Sequence, residues 1–472
     1  MSSDTRAARS RRRRGRSFAL SFAVVLAVLA LVGTLGATIG TVQGPRATAV
    51  QVDPDAAVAA SGSRLIVTTS QSLAEVDPAQ VTVTPDVPFT VDTSGRSVGV
   101  QFGRPLDDDT EYTVTIADVQ GLGGGPSTTI TESFHTPPAE LYVLQRGTAD
   151  GDVIFRTDLA GDAATPVFTH PHIEDYRATA AHLVVSVRTD DDQAELIVTD
   201  LDGADQRSLP LPGDGFVSNL QSADRGDLIG YTFSDAALDA DSGRESALFT
   251  ASLKDAAADD APAQVEVDGA DPRVAEWRFV PDTDSILLLS FDGSLLLTGS
   301  EGEDATALGN ALAIEGIARG SSVAVVDRAE GMDAIDLTDA SEEPLVEGEG
   351  LGPVSSVTPV AAEGTVRTAA VLDAGGLPSG ATVAYVDDDG ATRTLMDVTS
   401  ADTVVQTCVS PSGRYTAVIV APDSVDNPYD TYLLPMPERL ETHVIGMRGD
   451  ETGDEVVVLS GFAVSWCQVP AT

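Results

Sequence analysis

The 472-residue sequence predicts a mostly β protein made of an N-terminal transmembrane helix, a β-sandwich and a seven-bladed β-propeller. Three observations carry that expectation. Residues 18–42 hold no charge, the segments after residue 43 alternate or cluster β-branched residues, and the last 330 or so residues repeat one strand-and-turn theme. The chain is too long for one ordinary domain. Its 42% hydrophobic and 21% charged residues leave ample area to bury cores, while 43 Gly and 26 Pro favour turns over long helices. That excludes a collagen, a coiled coil and a disulfide-stapled miniprotein. A net charge of −45 excludes a nucleic-acid partner, because phosphate binding depends on Lys and Arg displacing counterions.

The N-terminal element is read from charge and length. Seven arginines (Arg6, Arg9, Arg11, Arg12, Arg13, Arg14, Arg16) precede residue 18 against the single acid Asp4, which leaves 21 bases and 72 acids beyond, a net of −51. From Phe18 to Val42 the run is 25 residues, longer than the roughly 20 needed for a ~30 Å hydrocarbon core. By the positive-inside rule, residues 1–17 form a cytoplasmic Arg-rich tail, 18–42 a single transmembrane helix, and everything after about residue 43 lies outside the plasma membrane. A cleaved signal peptide is the alternative; the small residues of Leu35-Gly36-Ala37 suit it, and the length of the apolar run does not.

The second element, residues 43–137, opens where Gly44-Pro45 breaks the helix. Short segments at Ser63–Thr69, Gln80–Thr84, Phe89–Asp92, Ser97–Phe102, Glu111–Ile116 and Thr128–Phe134, with one near Val50, read as about seven strands of a sandwich. The phrase Arg104-Pro-Leu-Asp-Asp-Asp-Thr-Glu-Tyr-Thr-Val114 resembles the bacterial Ig-like module of S-layer and other surface proteins. That resemblance implies an Ig-like β-sandwich with Tyr112 as a corner tyrosine, its ring in the core and its hydroxyl tied to backbone. Thr136-Pro-Pro138 then forms a stiff linker.

The third element, residues 138–472, is read from its period. Turns anchored at Asp158, Asp200, Ser252, Gly299, Asp336, Asp387 and Pro435 recur at a mean of about 46 residues, the length of a four-stranded propeller blade. Trp277-Arg-Phe-Val-Pro, Thr407-Cys-Val-Ser-Pro and Trp466-Cys-Gln-Val-Pro align on their prolines as innermost strands. The last has no blade after it, and Leu141–Leu144 starts the region with no inner strand before it. The segment Phe462–Val469 is therefore expected to complete the first blade and close a ring of seven. Val409-Ser-Pro-Ser-Gly-Arg-Tyr-Thr-Ala-Val-Ile419 resembles the blades of TolB-like and WD-repeat-like propellers, a likeness that implies architecture and not activity. The same alignment sets Cys408 and Cys467, the only cysteines, on neighbouring inner strands. They form either a disulfide or two buried thiols, and outside the membrane an even count favours the bond.

Chemistry-bearing patterns are sparse. His170-Pro-His172 with Glu174 and Asp175 lacks the three or four converging ligands of a metal site and reads as loop histidines. Gly95-Arg-Ser-Val-Gly99 and Gly320-Ser-Ser-Val-Ala324 match a nucleophile elbow only as strings, because both continue into strands instead of helices. Among many acidic turns, Asp239 and Asp241, in an insertion of the third blade, are the weak candidates for Ca²⁺; no other cofactor is expected. The function these features suggest is an extracytoplasmic binding or scaffold protein of the cell envelope, presenting its propeller to a protein or glycan. Two alternatives stay open: an envelope glycosidase or lyase using channel carboxylates, and a structural wall or S-layer component.

Overall fold

The computed structural model describes residues 44–471 except 162–163, 224–226, 240–241, 301, 303–304, 362–363 and 449–451. The expected transmembrane segment, 18–42, lies outside the described residues; among those described, no helix is long and apolar enough to cross a membrane. The chain is mostly β and divides into two compact units. One comprises the described residues up to Asp53 with Arg64–Gln101 and Glu111–Phe134; the other comprises Pro54–Ser63, Phe102–Thr110 and His135–Thr472.

The first unit carries strands where β-branched residues alternate with polar ones. Ala47–Gln51, Arg64–Thr69, Ser97–Phe102 and Phe89–Ser94 pair in that order as one antiparallel sheet, and Val81–Thr84, Glu111–Val119 and Thr128–His135 as another. Each sheet buries alternate side chains, Leu65 and Val67 in one, Val81, Val83, Val114 and Ile116 in the other, as a half-buried strand requires. Tyr112 is buried and its ring lies 5.8 Å from that of Phe134. The six-residue helix Pro54–Ala59, which belongs to the second unit, has no counterpart in the sequence reading. Its Pro-Asp start and three alanines suit one turn of helix, a segment too short to show a helical period.

In the second unit seven antiparallel sheets follow one another without crossover, at 140–170, 173–209, 215–264, 274–310, 313–344, 354–399 and 403–460. These are the blades of a β-propeller, numbered one to seven. Blades two to seven each run from an innermost to an outermost strand, four strands apiece, and their innermost strands neighbour one another from blade to blade. Packing between blades fixes residue choice closely. A Cβ on Gly230, in the second strand of blade three, would lie 2.4 Å from the fully buried Trp277 of blade four.

Blade one has three strands of its own, and the chain's end supplies what it lacks. Leu144 and Phe462 exchange backbone hydrogen bonds of 2.9 and 3.0 Å, and Ser465 N–H donates to the Tyr142 carbonyl at 3.0 Å. Gly461 makes the approach possible: its φ is +119°, and a Cβ there would lie 2.5 Å from the Leu144 carbonyl oxygen. Cys408 and Cys467 form a disulfide across the junction. The closure differs in one respect from the expected strand Phe462–Val469. Only Phe462 forms a ladder bridge, because the chain turns at Cys467, whose N–H bonds to the Val464 carbonyl, and Pro470 can donate no ladder bond. A continuous core including Leu141, Ile173, Tyr176, Ile419, Val464 and Trp466 spans blades seven, one and two.

The period reading misplaces one anchor. The third strand of blade seven is Glu441–Gly446, so Pro435 is no strand-ending turn. It belongs to a 19-residue insertion, 422–440, between the second and third strands.

Candidate functional site: the insertion of blade seven

The insertion 422–440 is anchored by buried charge. Arg146, at the end of the second strand of blade one, reaches Asp430 at 2.8 Å, with the two side chains only 7% and 12% exposed. The same guanidinium donates to the carbonyls of Leu434 (2.9 Å), Glu174 (2.6 Å) and Ile173 (3.2 Å). It also lies 4.1 Å from the ring centre of Tyr432 and 5.1 Å from that of Phe462. One side chain thus ties blade seven's insertion, the closing segment and blade two to blade one, using the planar fork that lysine lacks.

Two carboxylates complete the anchorage. Asp152 accepts from the Tyr432 hydroxyl at 2.7 and 2.9 Å, from Ile173 N–H at 2.7 Å and from Gly147 N–H at 2.9 Å. Burial, and then the Asp152 carboxylate, push the Tyr432 hydroxyl well above the ordinary tyrosine range. Glu174 accepts from Leu433 and Leu434 N–H, from Arg188 at 2.9 Å and from His172 at 2.7 Å. The His172 ring stacks on Tyr432 with centroids 3.9 Å apart.

Above this base lies a cleft of about 760 Å³, walled by Tyr429, Pro437, Glu438 and Arg439 on one side and Gln145, Arg146 and Phe462 on the other. That volume suits a ligand or a partner's side chains. A second cavity of about 730 Å³ lies at the turns joining first and second strands, where Ser222, Arg319, Ser410 and Trp466 meet Val58 and Leu106 of the same compact unit.

The channel carboxylates are engaged structurally. From blade three to blade seven, inner-strand side chains link one blade to the backbone of the next through Gln221 to Trp277 (2.6 Å), Glu276 to Ile314 (2.9 Å), Glu315 to Val357 (2.8 Å) and Thr358 to Thr407 (3.1 Å). Gln406 continues the series to Val469 and Pro470 at 3.1 and 3.2 Å. Burial raises the carboxyl of Glu315 despite its backbone bond. Burial likewise raises that of Asp175, which pairs with Arg177 at 2.9 Å. The cavity beside Arg278, Glu315 and Gln406 holds only about 70 Å³, room for a few waters and not for a sugar ring.

The residues singled out in the sequence fall as follows. Among the described residues no three His, Cys, Asp or Glu converge as a metal site. Asp239 donates its N–H to the Ser242 carbonyl, and Asp241 lies outside the described residues. His170 Nδ1 faces His172 N–H at 3.1 Å, so the pair shapes its own turn while His172 serves the anchorage. Ser97 opens a strand after a hairpin turn, and Gly320 sits in a turn between two strands of blade five, so neither serine stands at a strand-to-helix elbow. The sequence reading missed the insertion itself. Its signal was the stretch Asn427-Pro-Tyr-Asp-Thr-Tyr-Leu-Leu-Pro-Met-Pro437, dense in aromatics and prolines and longer than a turn needs.

A second charged feature lies between blades three and four. Asp271 receives bonds from Arg273 at 3.0 and 2.8 Å, and this guanidinium holds its carboxyl down at about 2. A depressed acid stabilises the fold above its unfolded value of ~3.9, and the contribution is lost as pH falls toward 2. Carboxyl NMR should show Asp271 titrating near 2, and Arg273→Gln should return it to the ordinary range; a midpoint near 4 in the unsubstituted chain would contradict the bonding described.

No family model matches this chain, and no curated protein does. Solved structures similar to it are propellers at low identity. An oligogalacturonate lyase from Vibrio parahaemolyticus is 10% identical over 73% of this chain and 95% of that one, TM-score 0.43. A putative 6-phosphogluconolactonase from Bacteroides fragilis is 12% identical over 68% and 93%, TM-score 0.39. A putative TolB from Agrobacterium tumefaciens is 14% identical over 69% and 90%, TM-score 0.35. At these scores the propeller rests on the chain's own sheet order.

Proposed function

We propose that this chain is a binding protein of the cell envelope, held by a single N-terminal membrane helix, with an Ig-like spacer and a propeller that takes a protein or glycan into the cleft beside residues 422–440. The observation that carries the reading is the insertion itself. A 19-residue segment is held by a buried Arg–Asp pair and two carboxylates, an arrangement that fixes a recognition wall and lowers the entropy cost of binding. The enzyme alternative needs free channel carboxylates, and Glu276 and Glu315 already accept backbone bonds between blades.

Immobilised full-length chain should retain a component of solubilised envelope. Replacing Tyr429 by Ala together with Glu438 by Gln should weaken that retention about tenfold or more, the scale of a central contact, while Ser222→Ala at the other cavity should leave it unchanged. Turnover of an envelope glycan that Glu315→Gln abolishes would overturn the reading in favour of an enzyme.

A further inference from the structure

Exposed apolar side chains are not spread evenly over the propeller. Each blade has two connections toward one face, from second to third strand and from outermost strand to the next blade, and two toward the other. Of the twelve large apolar residues exposed beyond residue 138 among the described residues, ten lie in connections of the first kind or at the end of the strands leading into them. They include Phe291 (53% exposed), Leu312 (64%), Leu377 (66%), Val425 (93%) and Tyr429 (65%), and with Leu238 and Val346 they run through blades three to seven. Val323 alone lies at a connection of the second kind, and Val458 lies within an outermost strand. Single exposed apolar residues need no explanation, whereas their segregation to one face marks an interaction surface.

The same connections carry twenty described Asp and Glu against three arginines, Arg244, Arg273 and Arg439. We infer that this face docks a protein whose apolar contact surface is fringed with Lys and Arg. The inference rests on the binding reading above and names the partner's chemistry. Apolar contacts supply affinity, and opposite charge steers encounter and register. A second copy of this chain would set the same acidic excess against itself, and an anionic bilayer would meet the same repulsion.

The test places a photo-crosslinking residue at Leu377, Val425 or Tyr429 of the full-length chain, in washed envelopes of cells that make it, with Val323 as the opposite-face control. Adducts should form from the three positions and not from Val323, should map to a protein whose linked segments are net positive, and should fall at least tenfold between 0.1 and 1 M salt. Linkage to lipid, to a second copy, to residues 1–43 of the same chain, or to a net neutral or acidic protein overturns the partner chemistry and leaves the binding reading standing. Adducts from Val323 at equal yield overturn the choice of face. Adducts from no position overturn both.

Discussion

Arg146→Ala should destabilise the propeller by roughly 3–5 kcal/mol, the usual cost of removing one partner of a buried ion pair. Asp430, 12% exposed, would lose its guanidinium partner, and three backbone carbonyls would lose a donor at once. The ring of Tyr432 would also lose the cation lying 4.1 Å from its centre. Both tryptophans, Trp277 and Trp466, are in the second compact unit, so their fluorescence during urea unfolding reports the propeller alone. Arg146→Lys should recover only part of the loss, since an ammonium cannot make the forked contacts. A companion measurement separates local from global effects. Limited proteolysis of the Arg146→Ala chain should cut first within 422–440, and equal resistance of wild type and variant there would contradict the role given to Arg146.

The second large effect is expected at the ring closure. Cys408 and Cys467 close a loop with a sequence separation of 59, for which the loop-entropy account gives about 4 kcal/mol. Cys467→Ser should therefore lower the denaturant midpoint markedly, with a somewhat steeper slope because the unfolded chain, freed of its cross-link, exposes more surface. Because Trp466 adjoins Cys467 and stacks on Tyr415 with ring centres 6.0 Å apart, its emission should shift to the red before the main transition. A loss below about 1 kcal/mol would show that the bridge between Leu144 and Phe462 and the surrounding core hold the ring without help.

Much of this architecture was legible because its signals are local and repeated. Strand positions in the first unit follow β-branched alternation, and the blade period follows the turns after the third strands. The missing inner strand beside Leu141 pointed to the chain's end as its filler. Two matching proline registers set Cys408 beside Cys467 and left a disulfide or two buried thiols open; the structure has the bond. The insertion 422–440 was obscured because Pro435 happened to fall near the expected period, so an irregular segment passed as a regular turn. Its anchorage was also hidden in distance: Arg146 and Asp430 are 284 residues apart, and nothing near either one names the other. Sequence patterns likewise count acids without showing which are engaged. The sequence singles out no pair of channel carboxylates, and only the structure shows that Glu276 and Glu315 accept backbone bonds between blades.

Hydrogen exchange of the full-length chain, with and without the envelope component it retains, tests the binding account most directly. Added protection is predicted at Gln145–Gly147, within 422–440 and at the connections carrying Phe291 and Leu377, with none at the turns containing Thr179, Ser222 and Ser410. Protection confined to those latter turns, or an unchanged pattern under saturating conditions, would contradict it.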